Sequence, residues 1–293
     1  MLNEVITDAN LTRAYDWLCH ARRDTHYNND VWHLRCHWSK IKPIIQANLR
    51  ARAYYFSPGK HYQINGLSLG VWNAQDALVQ KALSLVLTKH LAPLLSKDCY
   101  HLAGRGGPKA CVMQIKNAIA DYNFVCRSDV NSYYATIDHS VLMRRLQVYI
   151  NDDIVLALLA RMLARVDDVN AELYHVSVGI SKGNPLSPLL GAVYLDTMDR
   201  ELAHYCQPRT LRYFRFMDDW LILCYTKYQL RDIVKIMNTN LDLVKQTKHP
   251  FKTYIGRLTD HGIDFLGYRI GAKDAEGLEI AWQNWGNYQA KLI

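Results

Sequence analysis

The stretch RYFRFMDDWLILCY, residues 212–225, decides the fold of this chain. Two apolar runs rich in strand-forming residues flank a polar turn, and together they predict a β-hairpin over residues 210–225. The turn carries Asp218 and Asp219, two adjacent carboxylates whose mutual repulsion a divalent cation would relieve most simply. Because successive side chains of a strand point in opposite directions, a third carboxylate from a neighbouring strand is needed to complete a site.

Asp129 is the best candidate for that third carboxylate, because it ends the predicted strand NFVCRSDV at 123–130. Asp138 lies nine residues further on and is predicted instead to cap the helix that starts at 139. Two other Asp-Asp pairs have structural interpretations. Asp152–Asp153 is expected to open a helix, and Asp167–Asp168 to follow a helix end in a polar loop.

The remaining periodicity predicts a mixture of helices and strands. Helices are expected at 4–22, 31–52, 74–95, 110–121, 139–165 (as a pair), 188–204 and 227–246. Extended segments are expected at 53–72, 123–130, 172–178, 252–258 and 263–270. This order predicts an α+β fold with an antiparallel sheet.

Composition excludes several classes of protein. The chain has 293 residues, of which 49% are hydrophobic, enough for a sizeable core and too many for a disordered chain. Its longest apolar runs are interrupted by charged residues, so no membrane-spanning helix is expected. The first residues lack the features of a signal peptide, which predicts a cytoplasmic protein. Seven cysteines without a C-x-x-C pair argue against a disulfide framework or a zinc site.

The net charge of +8 is concentrated in the N-terminal half of the chain. Residues 31–75 contain no Asp or Glu, and residues 31–120 contain twelve basic and two acidic residues. Aromatic residues are interleaved with the basic ones, as is typical of surfaces that contact phosphates and stack on bases. A solvated basic face is the alternative. The basic residues expected to bind nucleic acid are Arg35, Lys40, Lys42, Arg50 and Arg52.

Five segments in this order resemble motifs of the reverse transcriptases, in particular the bacterial lineage of group II introns and retrons. They are SDVNSYYATIDH (128–139), GISKGNPLSPLL (179–190), FMDD (216–219), FKTYIG (251–256) and FLGY (265–268). The resemblance implies a right-hand polymerase fold with fingers and palm, and with a thumb that is reduced or absent. It implies the following division: an N-terminal helical extension (1–30), basic fingers (31–122), a palm with the catalytic site (123–275), and a C-terminal tail or reduced thumb (276–293).

The resemblance also implies roles for individual residues. The catalytic residues would be Asp129, Asp218, Asp219 and Lys252, and the metal ligands would be the three Asp residues together with Val130. Tyr134 would be the aromatic gate that excludes a ribose 2′-OH. The other nucleotide-binding residues would be Lys182, Gly183, Asn184, Lys60 and Arg105. The primer grip would be Phe265, Leu266, Gly267 and Tyr268.

Three residues depart from the family pattern. Phe216 replaces the usual Tyr before x-Asp-Asp, Lys182 replaces the usual Gln, and Leu67 stands where the fingers usually have an Arg. The cofactors implied are two Mg²⁺ ions, for which Mn²⁺ could substitute. The implied partners are dNTPs, a DNA product, a structured noncoding RNA as template or cofactor, and a partner protein or second copy in place of the thumb. No membrane partner is expected.

The function implied is an RNA-directed DNA polymerase that makes cDNA from a dedicated noncoding RNA. The subgroup suggested is the stand-alone, defence-associated reverse transcriptases, with a retron-type enzyme as the alternative. A catalytically vestigial RNA-binding scaffold is a second hypothesis, and a two-metal nuclease is a third.

Overall fold

The computed structural model describes residues 1–64, 67–207, 210–259, 262–271 and 278–280. Apart from strand residues 278–280, the C-terminal tail or reduced thumb predicted at 276–293 lies outside the described residues. By contact, the chain forms two units, each built from two separate segments: Met1–Leu94 with Tyr134–Tyr194, and Leu95–Tyr133 with Leu195–Ile293. We call them the first and the second unit.

The described residues contain helices close to most predicted positions. They are α1 (Leu2–Val5), α2 (Asp8–Ala21), α3 (Asp30–Cys36), α4 (Trp38–Arg50), α5 (Ala74–Leu91), a 3₁₀ turn (Ala92–Leu94), α6 (Gly107–Ile119), α7 (Tyr133–Thr136), α8 (His139–Tyr149), α9 (Asp153–Leu163), α10 (Ser187–Tyr205) and α11 (Lys227–Leu243). Each of the two long helices predicted at the N-terminus is divided in two. None of the helices in the described ranges is long and apolar enough to cross a membrane.

Two aspartates predicted to begin helices do so. The side chain of Asp138 accepts a hydrogen bond from the backbone N–H of Val141 at 3.0 Å, at the start of α8. Asp152 accepts from Ile154 and Val155 at 3.1 and 3.2 Å, at the start of α9. Both carboxylates satisfy amide groups that have no partner within the helix, which confirms the structural interpretation of these two positions.

Strands form three sheets in the described residues. The strands are β1 (Gly59–Ile64), β2 (Leu67–Val71), β3 (Phe124–Asp129), β4 (Val166–Val169), β5 (Glu172–His175), β6 (Leu211–Phe216), β7 (Asp219–Cys224), β8 (Tyr254–Arg257), β9 (Ile263–Phe265), β10 (Tyr268–Ile270) and β11 (Leu278–Ile280). Helices and largely antiparallel strands together confirm the predicted α+β class.

The first unit contains a sheet of order β2-β1-β4-β5. Here the prediction of a polar loop at Asp167–Asp168 was wrong, because both residues lie in β4, which pairs in parallel with β1 and antiparallel with β5. Asp167 is buried and its carboxylate accepts a hydrogen bond from Arg165 Nε at 3.0 Å. This local ion pair lets a carboxylate occupy a strand position that its polarity alone would place in a loop.

The second unit contains an antiparallel sheet of order β6-β7-β3-β8. The predicted hairpin is β6 and β7, with Phe216 paired to Asp219 across a two-residue turn. One face of the sheet packs on α6 and on the hairpin β9–β10, in a core that includes Val112, Phe214 and Phe265. Because β7 is hydrogen-bonded to β6 on one edge and to β3 on the other, the register of its first residue, Asp219, is fixed.

Candidate active site

Three carboxylates meet at one end of the β6-β7-β3-β8 sheet. Asp129 is the last residue of β3 and Asp219 is the first residue of β7, and the antiparallel register pairs the two directly. Asp218 occupies the turn immediately before β7. The sequence places the carboxylates 89 and 90 positions apart, and the strand register brings them together.

Lys252 completes this cluster. Its Nζ lies 2.5 Å from Oδ2 of Asp129. The backbone of the preceding segment is tied to the same residue, since His249 N–H donates to the carbonyl oxygen of Asp129 at 2.7 Å. The hydrogen bond to Asp129 raises the pKa of Lys252 above its usual value. The four residues predicted to be catalytic therefore lie together within the second unit.

The carboxylates of the turn are difficult to ionise. Burial, and then the nearby charge of Asp129, raise the pKa of Asp218 to about 6. The pKa of Asp219 is raised to about 6 by the same two causes in the same order. When Asp218 and Asp219 are ionised, their charges repel each other and that of Asp129. A bound cation would lower this repulsion.

The donor atoms suit a hard divalent cation. Carboxylate oxygens are preferred ligands of Mg²⁺, and Asp129, Asp218 and Asp219 supply them. Val130 is buried with an apolar side chain, so only its carbonyl oxygen could take part. Within the described ranges no group of three His, Cys, Asp or Glu side chains is arranged to enclose an ion, and Lys252 engages one oxygen of Asp129. The three carboxylates therefore suit Mg²⁺ as ligands. In this structure the ammonium group of Lys252 neutralises part of their negative charge.

The predicted primer-grip residues form the turn of the hairpin β9–β10. Phe265 pairs with Tyr268, and Leu266 and Gly267 between them both have positive φ, of 49° and 84°. Positive φ at both central positions is the geometry of a type I′ hairpin. The ring of Phe265 is buried in the core, which leaves the turn backbone and Tyr268 as the parts that could contact a primer.

Arg105, a predicted nucleotide-binding residue, also lies in the second unit. Its guanidinium group donates to the backbone oxygen of Leu95 at 3.3 Å.

The other predicted nucleotide-binding residues lie in the first unit. Tyr134 is half-buried in α7, and its carbonyl oxygen accepts from Ile180 N–H at 2.7 Å, which joins two of the quoted motifs. Lys182 and Gly183 are exposed. Asn184 is buried, and its Oδ1 accepts from Leu186 N–H at 2.8 Å, so it shapes the start of α10.

The predicted nucleic-acid residues divide into two groups. Lys40, Arg50 and Arg52 are exposed, as is Lys60 on β1. The other two are engaged within the first unit. Arg35 donates to the carbonyl oxygen of Cys19 at 3.0 Å, and Lys42 forms an ion pair with Asp8 at 3.1 Å. The exposed members are therefore those available to a polyanion.

Three further residues of this site escaped sequence reasoning. Arg215 and Asp199 form a completely buried ion pair beneath the Asp218 turn, and His101 accepts a hydrogen bond from the turn backbone. Strand alternation places Arg215 on the same face as Leu211 and Tyr213, and a charged residue on this face was a signal for Arg215. No local pattern marks Asp199 or His101, because their partners are distant in the sequence.

Four antiparallel strands with three carboxylates and a lysine at one end have the arrangement of the palm of a nucleotidyl-transferring polymerase. A family comparison agrees: residues 67–270 match the model of "Reverse transcriptase (RNA-dependent DNA polymerase)". The chain belongs to the reverse transcriptase family, as its motifs predicted.

Relatives with curated descriptions carry the names of intron proteins. The putative COX1/OXI3 intron 2 protein of Saccharomyces cerevisiae is 26% identical over 170 residues, covering 56% of this chain and 19% of that protein. The group II intron-encoded protein LtrA of Lactococcus lactis subsp. cremoris is 25% identical over 167 residues, covering 55% of this chain and 28% of that protein. The matched part of this chain thus corresponds to less than a third of either relative.

Solved structures show the same fold at low sequence identity. A chain of a partial Cas6-RT-Cas1–Cas2 complex matches with a TM-score of 0.50 and 20% identity, over 83% of this chain and 43% of that one. Telomerase from Candida albicans, in complex with a fragment of telomeric RNA, matches with a TM-score of 0.60 and 12% identity, over 80% and 46%. The predicted reverse transcriptase fold is confirmed.

Proposed function

We propose that this chain is an RNA-directed DNA polymerase that extends a primer with deoxynucleotides on an RNA template. The observation that carries the proposal is the convergence of Asp129, Asp218, Asp219 and Lys252 at one end of the palm sheet. The family supports the reaction class. The identity of the template, the number of metal ions and the biological role are narrower parts of the same proposal.

Each residue of the cluster has a part in the proposed chemistry. Bound Mg²⁺, one ion or two, would neutralise the phosphates and stabilise charge that develops during transfer. Asp129, Asp218 and Asp219 would hold it through their carboxylate oxygens. The hydrogen bond to Asp129 raises the pKa of Lys252 and keeps it cationic, which suits it to neutralise the pyrophosphate that leaves. Donating a proton to that group is the other role that the family resemblance implies.

Primer extension by the purified chain is the direct test. The assay combines a labelled primer annealed to an RNA template, dNTPs and Mg²⁺, and a parallel reaction with Mn²⁺. We expect elongated DNA that disappears when EDTA is added. Absence of synthesis on every RNA template, including RNA that co-purifies with the protein, would refute the polymerase and favour the RNA-binding scaffold.

A second prediction concerns the choice of sugar. Tyr134 lies five residues after Asp129, where the family has its aromatic gate. Replacing Tyr134 with Ala should raise incorporation of ribonucleotides relative to deoxynucleotides by about tenfold or more, since removal of a steric block is worth a few kcal/mol. Tyr134→Phe keeps the ring and serves as the matched control. Competition between labelled rNTPs and dNTPs measures the ratio, and equal ratios for Ala and Phe would remove Tyr134 from sugar selection.

A third prediction concerns the basic surface. If Arg50 and Arg52 contact phosphates, changing both to Glu should weaken RNA binding and lower the slope of log affinity against log salt by about 1 to 2, since each phosphate contact contributes somewhat less than 1. Arg13→Glu with Arg23→Glu is the control, because both are exposed and make the same change in net charge outside the basic segment. Equal losses of RNA affinity in the two double variants would mean that net charge, and not the position of Arg50 and Arg52, determines RNA binding.

The narrower proposal is that the template is a dedicated structured noncoding RNA and that the enzyme acts in antiphage defence. Support comes from the departures Phe216 and Lys182, and from a structural neighbour that belongs to an assembly with Cas1 and Cas2. Sequencing the RNA and DNA bound to the protein in cells tests the first part. Phage challenge of cells that carry the wild type or Asp218→Asn tests the second, and protection by both would favour the scaffold.

A further inference from the structure

Met217 has a backbone conformation that its residue type disfavours. It is the first of the two residues in the turn between β6 and β7, and its φ is 56°. In a two-residue hairpin with positive φ at the first position, glycine is the favoured residue. A side chain at this φ is an uncommon arrangement that persists only where surrounding contacts determine it. The next residue in the chain is Asp218.

The N–H group of Met217 is held by a histidine from another segment. His101 Nδ1 accepts this hydrogen bond at 2.9 Å. Residues 98–101 are brought to the turn by pairing with the free edge of β6, because Arg215 N–H donates to Asp98 O at 2.9 Å and Tyr100 N–H donates to Arg215 O at 2.8 Å. The ring of His101 also meets the ring of Phe216 edge-on, with centroids 5.9 Å apart.

The carbonyl group of Met217, which belongs to the next peptide unit, is held by a second side chain. Arg215 Nη1 donates to Met217 O at 2.7 Å. Arg215 cannot move freely, since it is completely buried and its Nε donates to Asp199 Oδ1 at 2.7 Å. Tyr213 donates to the same oxygen of Asp199, also at 2.7 Å. Both backbone polar groups of one strained residue therefore have side-chain partners from outside the turn.

The geometry points to a clamp on the catalytic turn, formed by His101 and by Arg215 with its partner Asp199. We propose that these are positioning residues: they stabilise the left-handed conformation of Met217 and thereby fix where Asp218 stands relative to Asp129. The Cys99 sulfur lies 3.4 Å from the same ring nitrogen of His101 and helps to orient the ring. The proposal rests on the proposed polymerase function for its effect on catalysis, but not for the existence of the clamp.

Three replacements of His101 separate the acceptor from the bulk of the ring. Asn carries an acceptor oxygen near the position of Nδ1, Gln carries its amide one bond further, near Nε2, and Leu carries no acceptor. Hydrogen exchange of the Met217 amide reports the clamp without any need for activity. Single-turnover nucleotide addition and the KM for dNTP report its effect on chemistry. Thermal melts identify any variant that is globally unstable.

We expect the Met217 amide to exchange about tenfold faster in the Leu and Gln variants than in the wild type. Both substitutions remove the acceptor at the position of Nδ1, which protects this amide from exchange. Their single-turnover rate should fall about tenfold to a hundredfold, with KM for dNTP changed less than about threefold, as for a misplaced catalytic group. His101→Asn should restore both quantities to near the wild-type values.

Two results would overturn the clamp. One is exchange and single-turnover rates in His101→Gln and His101→Leu that equal those of the wild type. The other is an Asn variant as defective as Leu, because then the acceptor would not matter. A wild type that never extends a primer would instead refute the proposed function, and the exchange measurement would still decide whether His101 restrains the turn.

Discussion

Replacing Asp218 or Asp219 with Asn should abolish primer extension while leaving the protein at least as stable as the wild type. Loss of a carboxylate that holds a catalytic cation removes several kcal/mol of transition-state stabilisation, which corresponds to a rate at least about a thousandfold lower. Asn keeps the size of the side chain, so the turn and the β7 register can persist. Primer extension under single-turnover conditions measures the loss.

The stability part of this prediction follows from the sign of the pKa shifts. The pKa of each carboxyl group, about 6, lies above the ordinary value of 3.8 because of burial and Asp129. A group whose pKa is raised by folding destabilises the folded state increasingly as pH rises from the unfolded value to the folded value. The wild type should therefore lose stability between about pH 4 and pH 6 relative to Asp218→Asn, and the two should converge below this window.

The expected size of this effect is modest, because both side chains are partly exposed. After allowing for solvent screening, about 1 kcal/mol at neutral pH would raise Tm of the variant by about 2 to 4 °C. Adding Mg²⁺ should raise Tm of the wild type more than that of the variant, since the ion binds the folded carboxylates. Asp121→Asn is the matched control, an exposed aspartate of the same unit. A variant that keeps extending primers would contradict the assigned role of Asp218 or Asp219.

The sequence predicted the parts of this site that local chemistry dictates. The hairpin at 210–225, the strand ending at Asp129 and the caps at Asp138 and Asp152 each follow from residue type and spacing within a few positions. The clustering of Lys252 with Asp129 followed from motif order, because the family resemblance supplied the long-range pairing. Each residue's chemical role remains a prediction.

The sequence could not predict features that depend on distant partners. Asp167 lies in a strand because Arg165 and the neighbouring β1 stabilise it there, which no local polarity rule anticipates. Asn184 remains a predicted nucleotide contact, but the sequence did not show that its side chain is buried and donates from Nδ2 to Met162 Sδ, 22 residues away, at 3.5 Å. Met217 looks like an ordinary turn residue until its φ is known. In each case a tertiary contact decided between conformations that the local sequence leaves open.

Breaking the buried pair of Arg215 and Asp199 should strongly destabilise the folded state. Replacing Asp199 with Ala leaves the Arg215 guanidinium and the Tyr213 hydroxyl buried without their acceptor, which costs about 3 to 5 kcal/mol. Equilibrium unfolding in urea measures this loss. The exposed pair Arg23–Asp24 offers the control, because Arg23→Ala should cost less than about 1 kcal/mol. A cost for Asp199→Ala as small as the control would show that the buried pair contributes little.

The double variant Arg215→Leu with Asp199→Leu separates stability from positioning. Replacing both charges of a buried pair with apolar side chains is often neutral for stability, so much of the lost free energy of unfolding should return. Primer extension should not return with it, because the Met217 carbonyl still lacks the donor that Arg215 Nη1 supplies at 2.7 Å. Recovery of both stability and primer extension would mean that the ion pair contributes only to packing of the core. Recovery of stability alone would show that a buried charge is retained here because it fixes the backbone that presents Asp218.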